Sequence, residues 1–220
     1  MDKWQRAQGK ELAWWAWYFG EHISLDTRPQ MEGYRLCEGR YMMQHCGIPH
    51  GGLTPQEITG ELLDIGCGAI SVWENRAGVE VTAIDPLLPQ MLEHPLLEKY
   101  AKLGISGNTL YLGQSVETIG FGGKFDWVWN YNVLDHTVEW KTHLAHCKRV
   151  LKPGGALLLG TDVRAPEYAF GEHDDEREMH PGIFTAEEVL QELDKIGLKV
   201  EWNRPLLPQK KFRLGLRARK

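Results

Sequence analysis

The residues with the clearest chemical meaning form a glycine-rich turn and an acid that follows it in the sequence. The apolar run 61–65 leads into Gly66 and Gly68, where the absence of side chains lets the backbone approach a ligand closely. Asp85 ends the next apolar run about 20 residues later, where an acid can accept hydrogen bonds from both hydroxyls of a ribose. The pattern predicts a site for a nicotinamide dinucleotide, a flavin or S-adenosyl-L-methionine. The predicted contacts in this part of the chain are Asp64, Gly66, Cys67, Gly68, Asp85 and Pro86.

Two histidines are the candidates for acid–base catalysis. His136 follows the predicted strand 126–131, and the neighbouring Asp135 could orient its ring. A histidine that only supports packing is the alternative interpretation of His136. His180 lies in the charged segment 171–181, for which a solvated surface loop is the alternative.

The elements that position these residues alternate from residue 51 onward between short apolar runs and helical patterns. This alternation predicts an α/β fold, a doubly wound and mostly parallel sheet covered on both faces. Ligands of such sheets bind at the carboxyl ends of the strands, where the turn, Asp85 and His136 are expected. The predicted strands cover residues 61–65, 80–84, 109–113, 126–131, 156–161, 198–203 and 211–218, and the predicted helices cover 71–77, 89–103, 138–150 and 186–196.

The N-terminal part, residues 1–50, is expected to be a helical extension, and residues 51–220 are expected to form the main domain. Helix-favouring patterns cover residues 3–19 and 30–46. The aromatic side chains of this part are most simply buried against the main domain, and a lid that closes over a ligand is the alternative. These aromatic residues are Trp4, Trp14, Trp15, Trp17, Tyr18, Tyr34 and Tyr41.

Composition excludes several classes of function. A length of 220 residues suits one core, and the net charge of −5 provides no basic field for nucleic acid. The basic stretch 210–220 is expected to be a half-exposed strand, with an RNA or membrane contact as the alternative. The four cysteines form no C-x-x-C pair, so the sequence indicates neither a zinc site nor a disulfide framework. The longest apolar run, 12–19, is shorter than the roughly 20 residues of a membrane span. We therefore expect a cytoplasmic protein. No metal site is predicted, because compact spacing is missing among the nearest candidates, His173, Asp174, Asp175 and His180.

The glycine-rich turn resembles the D-x-G-x-G-x-G motif of the class I, Rossmann-like S-adenosylmethionine-dependent methyltransferases. Asp64, Gly66 and Gly68 match this motif, and Ile70 stands where its third glycine is usual. The dinucleotide pattern G-x-G-x-x-G fits no better, because Ser71 takes the place of its last glycine. The turn by itself therefore does not decide between the two cofactors.

Three later segments resemble the same family, in the order that the family shows. Residues 111–117 are similar to the segment that lies along the adenine in this family, with Gln114 where an Asp is usual. Residues 124–136 are similar to the family's F-D-x-V-x-x-x-x-V-L-x-H segment. Residues 147–157 contain the family's R-V-L-K-P-G-G sequence. The resemblance implies a seven-stranded sheet, S-adenosyl-L-methionine as methyl donor and S-adenosyl-L-homocysteine as product. It adds Gln114, Ser115, Val116, Asn130 and Asn132 to the expected cofactor contacts.

The resemblance implies a small-molecule methyltransferase, which needs little catalytic machinery beyond alignment and removal of a proton. The expected acceptor is a sugar or another metabolite, methylated on oxygen or nitrogen, and RNA or protein is the alternative. His136 and His180 are the candidate bases. Motifs of the amino-methylating and cytosine-methylating nucleic-acid enzymes, D-P-P-Y and Pro-Cys, are missing from the sequence. An NAD-dependent oxidoreductase is one alternative, and a non-catalytic protein that binds S-adenosylmethionine is another, which the unusual Ile70 and Gln114 keep open.

Overall fold

The computed structural model describes residues 3–19, 27–46, 55–105, 107–163, 179–206 and 212–220. These residues form a seven-stranded sheet with helices packed around it. The strands are β1 (Gly60–Ile65), β2 (Val79–Ile84), β3 (Leu110–Leu112), β4 (Phe125–Tyr131), β5 (Leu151–Val163), β6 (Lys199–Leu206) and β7 (Phe212–Arg219). The helices are α1 (Lys3–Trp17), α2 (Arg28–His45), α3 (Leu88–Glu93), α4 (Pro95–Gly104), α5 (Trp140–Val150) and α6 (Ala186–Lys195), with short 3-10 turns at Pro55–Glu57 and Leu134–His136.

The strand order is β3-β2-β1-β4-β5-β7-β6. Strands β1 to β5 pair in parallel, and β7 lies antiparallel between β5 and β6. The direction of winding reverses between β1 and β4, and a doubly wound sheet opens a crevice at the carboxyl ends of such strands. The predicted seven-stranded, mostly parallel α/β fold is confirmed.

The core lies on both faces of the sheet, as strands covered on both sides require. On one face, Leu144 of α5 and Leu193 of α6 pack against β4 and β5, and both leucines are fully buried. On the other face, the rings of Trp73 and Trp129 meet edge to face with centroids 5.2 Å apart. The central strands are therefore fixed from both sides, and their carboxyl ends are held in place.

The predicted helix 71–77 is wrong, because turns connect β1 to β2. The Ser71 hydroxyl oxygen accepts a hydrogen bond from the Trp73 backbone N–H at 3.0 Å, and serine side chains that bond nearby backbone compete with helix formation. Tyr111 Oη accepts the Ser71 backbone N–H at 3.1 Å, and Asn75 adopts a left-handed φ of 61°. The glycine-rich turn therefore does not lead into a helix N-terminus.

The predicted helix 89–103 is divided into α3 and α4 at His94 and Pro95. His94 has an extended backbone, with φ −80° and ψ 121°. The ring of a proline disfavours the helical conformation of the residue before it, which explains the break.

The N-terminal helices dock on the main domain through an apolar cluster. Phe19, Met31 and Ile70 are buried in this cluster, and Tyr100 Oη of α4 donates a hydrogen bond to the Phe19 carbonyl at 2.8 Å. Ile70, which stands where the family usually has a glycine, thus gives the helical extension an apolar contact on the main domain. The residues around the expected boundary at position 50 lie outside the described part.

The basic C-terminal stretch contains β7, which is half exposed as predicted. Leu214, Leu216 and Ala218 are buried, whereas Arg217 and Arg219 pair with Glu201 of β6 at 3.0 and 2.7 Å. A search of the described helices for one long and apolar enough to cross a membrane found none.

Candidate active site

A cavity of about 840 Å³ lies at the carboxyl ends of β1, β2 and β4. Asp64, Asp85 and Asn132 mark these three strand ends in its wall, and residues of α1 line it as well. Its volume is in the range of sites that hold small-molecule ligands. The position is the one expected for ligands of a doubly wound sheet.

The glycine-rich turn has a backbone that only glycine adopts easily. Gly66 and Gly68 have left-handed φ angles of 69° and 61°, and a Cβ on Gly66 would overlap with the side chain of Val133. The Gly66 N–H donates to the Ile84 carbonyl at 2.8 Å, which ties the turn to the end of β2. The turn can therefore present bare backbone to a ligand.

Asp85 lies at the end of β2 and is 7% exposed. Its Oδ2 accepts the Gly68 N–H at 2.9 Å, and its Oδ1 accepts the Leu87 N–H at 2.8 Å. Burial raises the pKa of Asp85 to about 6, although these two hydrogen bonds act in the opposite direction. Each carboxylate oxygen has a second lone pair, so Asp85 can still accept hydrogen bonds from two ribose hydroxyls.

Nine of the eleven predicted cofactor contacts line the cavity, and two do not. The Gly68 N–H instead donates to Asp85, and Asn130 has no exposed surface. The nine residues in the wall are Asp64, Gly66, Cys67, Asp85, Pro86, Gln114, Ser115, Val116 and Asn132.

Asn130 belongs to a buried polar group that the sequence analysis missed. Its amide lies 2.7 Å from His143 Nε2, and His143 Nδ1 lies 2.9 Å from Glu117 Oε1. Burial raises the pKa of Glu117, but the hydrogen bond and charge of His143 outweigh burial and lower it to about 2. His143 and Glu117 line the cavity beside Ser115, so this group supports the wall where an adenine is expected.

His136 lies in the cavity wall, together with most of the expected cofactor contacts. Its Nδ1 is 3.0 Å from Glu11 Oε2 on α1, and its Nε2 is 3.3 Å from Asn132 Nδ2. Burial lowers the pKa of His136, but the charge of Asp135, with the hydrogen bond and charge of Glu11, outweighs burial and raises it to about 9. His136 is therefore a stronger base than an ordinary histidine.

Asp135 does not orient His136 as the sequence analysis predicted. Its Oδ2 lies 2.7 Å from His180 Nδ1 and 3.8 Å from His136 Nε2, and its Oδ1 accepts the Thr161 hydroxyl at 3.1 Å. The rings of His136 and His180 lie 4.3 Å apart, so the structure brings both candidate bases together. His180 is not in the cavity wall, which places it behind His136.

Asp135, His136 and His180 also offer ligand atoms within 4.8 Å of one another, close enough for a metal ion. However, His136 Nδ1 already contacts Glu11, and His180 Nδ1 already contacts Asp135. These two nitrogen atoms are therefore engaged within the protein. The other residues weighed as ligands, His173, Asp174 and Asp175, belong to positions 171–178, which lie outside the described residues.

The aromatic residues of the N-terminal helices cover the cavity. Trp4, Trp14, Trp15 and Tyr34 line it, whereas Trp17 does not and is 45% exposed. Tyr18 stacks on Trp14 with ring centroids 4.8 Å apart, and the Tyr41 side chain lies outside the described part. The wall on this side is therefore apolar and aromatic.

Arg213 of β7 is a further residue of the wall that the sequence analysis did not single out. Its guanidinium donates to Asp162 Oδ1 at 2.6 Å, to Tyr131 Oη at 2.7 Å and to Asn132 Oδ1 at 3.2 Å. It therefore fixes the Asn132 amide that contacts His136. The alternation of basic and apolar residues along β7 predicted the strand but not which arginine faces the site.

Comparison with known proteins agrees with the donor-site motifs. Residues 63–159 match the methyltransferase domain family. Ubiquinone biosynthesis O-methyltransferase of Xanthomonas oryzae pv. oryzae is 37% identical over 109 residues, which cover 48% of this chain and 44% of that protein. The chain spans less than half the length of the curated relatives it matches. The matched residues 63–159 include the glycine-rich turn, Asp85 and His136.

Solved structures share the fold at low sequence identity. The 1,6-didemethyltoxoflavin-N1-methyltransferase of Burkholderia thailandensis, solved with S-adenosylhomocysteine, has a TM-score of 0.59 and 18% identity over 97% of this chain and 88% of that one. The [4+2]-cyclase SpnF has a TM-score of 0.57 and 17% identity over 74% of each chain. The fold therefore supports more than one reaction, and the site must decide among them.

Proposed function

We propose that the protein transfers a methyl group from S-adenosyl-L-methionine to a hydroxyl oxygen of a small, ring-bearing molecule, with His136 as the general base. The observation that carries this proposal is a single cavity that holds both the expected cofactor contacts and His136. When bound, S-adenosylmethionine supplies a methyl group on a sulfonium, which is already a good leaving group. The curated relatives named as O-methyltransferases support oxygen as the acceptor atom.

The donor end of the cavity fits this cofactor. Asp85 retains the capacity to accept two ribose hydroxyls, and Gly66 leaves its backbone bare. Gln114 and Ser115 offer polar groups beside the position expected for an adenine. The same residues leave an NAD site as the alternative to be tested, although the family match favours methyl transfer.

The pKa of His136 limits which acceptor hydroxyls it can deprotonate at low cost. His136, with a pKa of about 9, lies about one pKa unit below a phenol, whose pKa is about 10. Transfer of the phenol proton to the neutral ring, the main form of His136 above pH 9, therefore costs only about 1.4 kcal/mol. A sugar hydroxyl, with an acidity on the order of that of water at about 15.7, would cost roughly 9 kcal/mol. The aromatic wall also suits a flat ring, so we favour a phenolic or enolic hydroxyl over a sugar.

A methyl-transfer assay with labelled S-adenosylmethionine and a panel of phenols and sugars tests this function. We expect label in phenols, and we expect His136→Ala to lower kcat by about 10²–10⁴-fold, the usual contribution of a general base. His146→Ala is the matched control, because His146 lies on α5 and is not in the cavity wall. Full activity of the His136 variant would reject His136 as the base, and transfer to sugars alone would reject the acceptor class.

A further inference from the structure

Glu11 makes the contact with His136 that the sequence analysis expected of Asp135. Its Oε2 lies 3.0 Å from His136 Nδ1, and the Glu11 and His136 side chains are 24% and 18% exposed. Its other oxygen, Oε1, accepts a hydrogen bond from Trp15 Nε1 at 3.0 Å. Both carboxylate oxygens therefore have partners, and the direction of the carboxylate is fixed.

A carboxylate on one ring nitrogen of a histidine sets which nitrogen carries the proton. Above the pKa of His136, near 9, the neutral ring keeps one proton on Nδ1, donated to Glu11, and Nε2 is the nitrogen that can accept a proton. Nε2 already lies 3.3 Å from the Asn132 amide nitrogen, and both His136 and Asn132 line the cavity. The basic nitrogen is therefore on the side of His136 away from Glu11, next to another residue of the wall.

We propose that Glu11 is a positioning residue for methyl transfer, a role that rests on the function proposed above. Its carboxylate keeps one proton on His136 Nδ1 and presents Nε2 to the acceptor. The proton of the acceptor hydroxyl moves to Nε2, and the charge of Glu11 balances the positive charge that His136 then carries. Because Glu11 lies on α1, the helix that covers the cavity also orients the base.

Charged groups from several elements face His136, and Glu11 is one of the two acids that raise its pKa most. Burial favours the neutral ring, and the charge of Asp135 and then the hydrogen bond and charge of Glu11 outweigh it. Removing the charge of Glu11 must therefore lower the pKa of His136. Among the described residues, the other charged or titratable groups around the ring are Asp85 at the end of β2, Asp162 of β5, Arg213 of β7 and His180.

An NMR titration of His136 tests the pairing without any acceptor. Protein with labelled histidines is titrated as wild type, Glu11→Gln and Glu11→Asp, and the His136 signal is assigned with His136→Gln. We expect the pKa of His136 near 9 in the wild type, lower by about 1–3 units in Glu11→Gln, the usual effect of one nearby opposite charge. Glu98→Gln is the matched control, because Glu98 lies on α4 and pairs with the exposed Lys102. An unchanged pKa in Glu11→Gln would overturn the proposal.

The rate of methyl transfer separates a positioning role from a structural one. On the plateau of the pH–rate profile above pH 9, we expect Glu11→Gln to lower kcat tenfold or more with the KM for S-adenosylmethionine unchanged. We also expect the acid limb of the profile to move downward with the pKa of His136. Glu11→Asp, which keeps the charge, should recover part of both effects. A lowered pKa with an unchanged kcat would overturn the positioning role. Absence of methyl transfer by the wild type would instead reject the proposed function. The NMR titration tests the pairing of Glu11 with His136 separately, because it needs no turnover.

Discussion

At the scale of single residues, Asp85 shows how burial and hydrogen bonding prepare a group for binding. Two backbone N–H groups fix its carboxylate, while burial raises its pKa to about 6 from an ordinary value of 3.8. The ionised form accepts hydrogen bonds on both oxygens, whereas the protonated form turns one oxygen into an O–H donor and is the weaker acceptor. We therefore expect the affinity for an adenosyl cofactor to depend on the ionisation of Asp85.

We predict that Asp85→Ala weakens the binding of S-adenosylhomocysteine by about 1.5–3 kcal/mol, the range for hydrogen bonds to a charged group. Wild-type affinity should be constant well above pH 6 and fall as the pH is lowered through 6, because Asp85 takes up a proton around its raised pKa. Calorimetric titration at several pH values measures both effects. Glu80→Ala, an exposed acid on the same strand, should change neither. Wild-type affinity that is the same at pH 5 and pH 8 would place the ribose elsewhere.

At the scale of elements, Ile70 connects the glycine-rich turn to the N-terminal helices. It is 6% exposed and packs in the cluster that contains Phe19 and Met31. Because this cluster holds α1 over the cavity, the packing of Ile70 also supports the position of Glu11. A residue that looks like a departure from the cofactor motif therefore has a structural role.

We predict that Ile70→Ala lowers the free energy of unfolding by about 2–5 kcal/mol, the usual cost of such a truncation in a core. Denaturant unfolding measures the change. Leu110→Ala, at a position that is 49% exposed, should stay within about 0.5 kcal/mol of the wild type. If Ile70→Ala is as stable as Leu110→Ala, the packing of Ile70 does not stabilise the docking of the N-terminal helices.

The sequence predicted every strand of the sheet because apolar runs and their order depend on local pattern. The prediction of the helix 71–77 was wrong because the Ser71 side chain bonds the nearby backbone and competes with helix formation. The predicted helix 89–103 was divided because Pro95 disfavours the helical conformation of the residue before it. The motifs between Asp64 and His136 supplied nine residues that line the cavity, and their role in binding a cofactor stays a prediction. Glu11 could not be assigned, because its contact with His136 joins residues 125 positions apart and depends on how α1 docks.

At the scale of the molecule, the fold brings nine of the expected cofactor contacts and an aromatic wall into one cavity. A solved structure with the same fold is a [4+2]-cyclase, so the fold by itself does not determine the reaction. In this chain the reaction must follow from the residues of the cavity, above all from Asp85 and His136.

We predict that the reaction needs no metal ion, although Asp135, His136 and His180 lie close enough to bind one. Hydrogen-bond contacts of Asp135 and Glu11 already hold Nδ1 of the two histidines, which favours acid–base use of the group. Methyl transfer measured after dialysis against EDTA should equal that before it. A loss of activity that zinc or magnesium restores would show that the group is a metal site.

The most direct test of the central claim is calorimetric titration of the protein with S-adenosylhomocysteine, with NAD titrated in parallel. The donor site described above predicts saturable binding of S-adenosylhomocysteine, weakened in Asp85→Ala, and no binding of NAD. Binding of NAD alone, or of neither ligand, would contradict the assignment of this cavity to a methyltransferase.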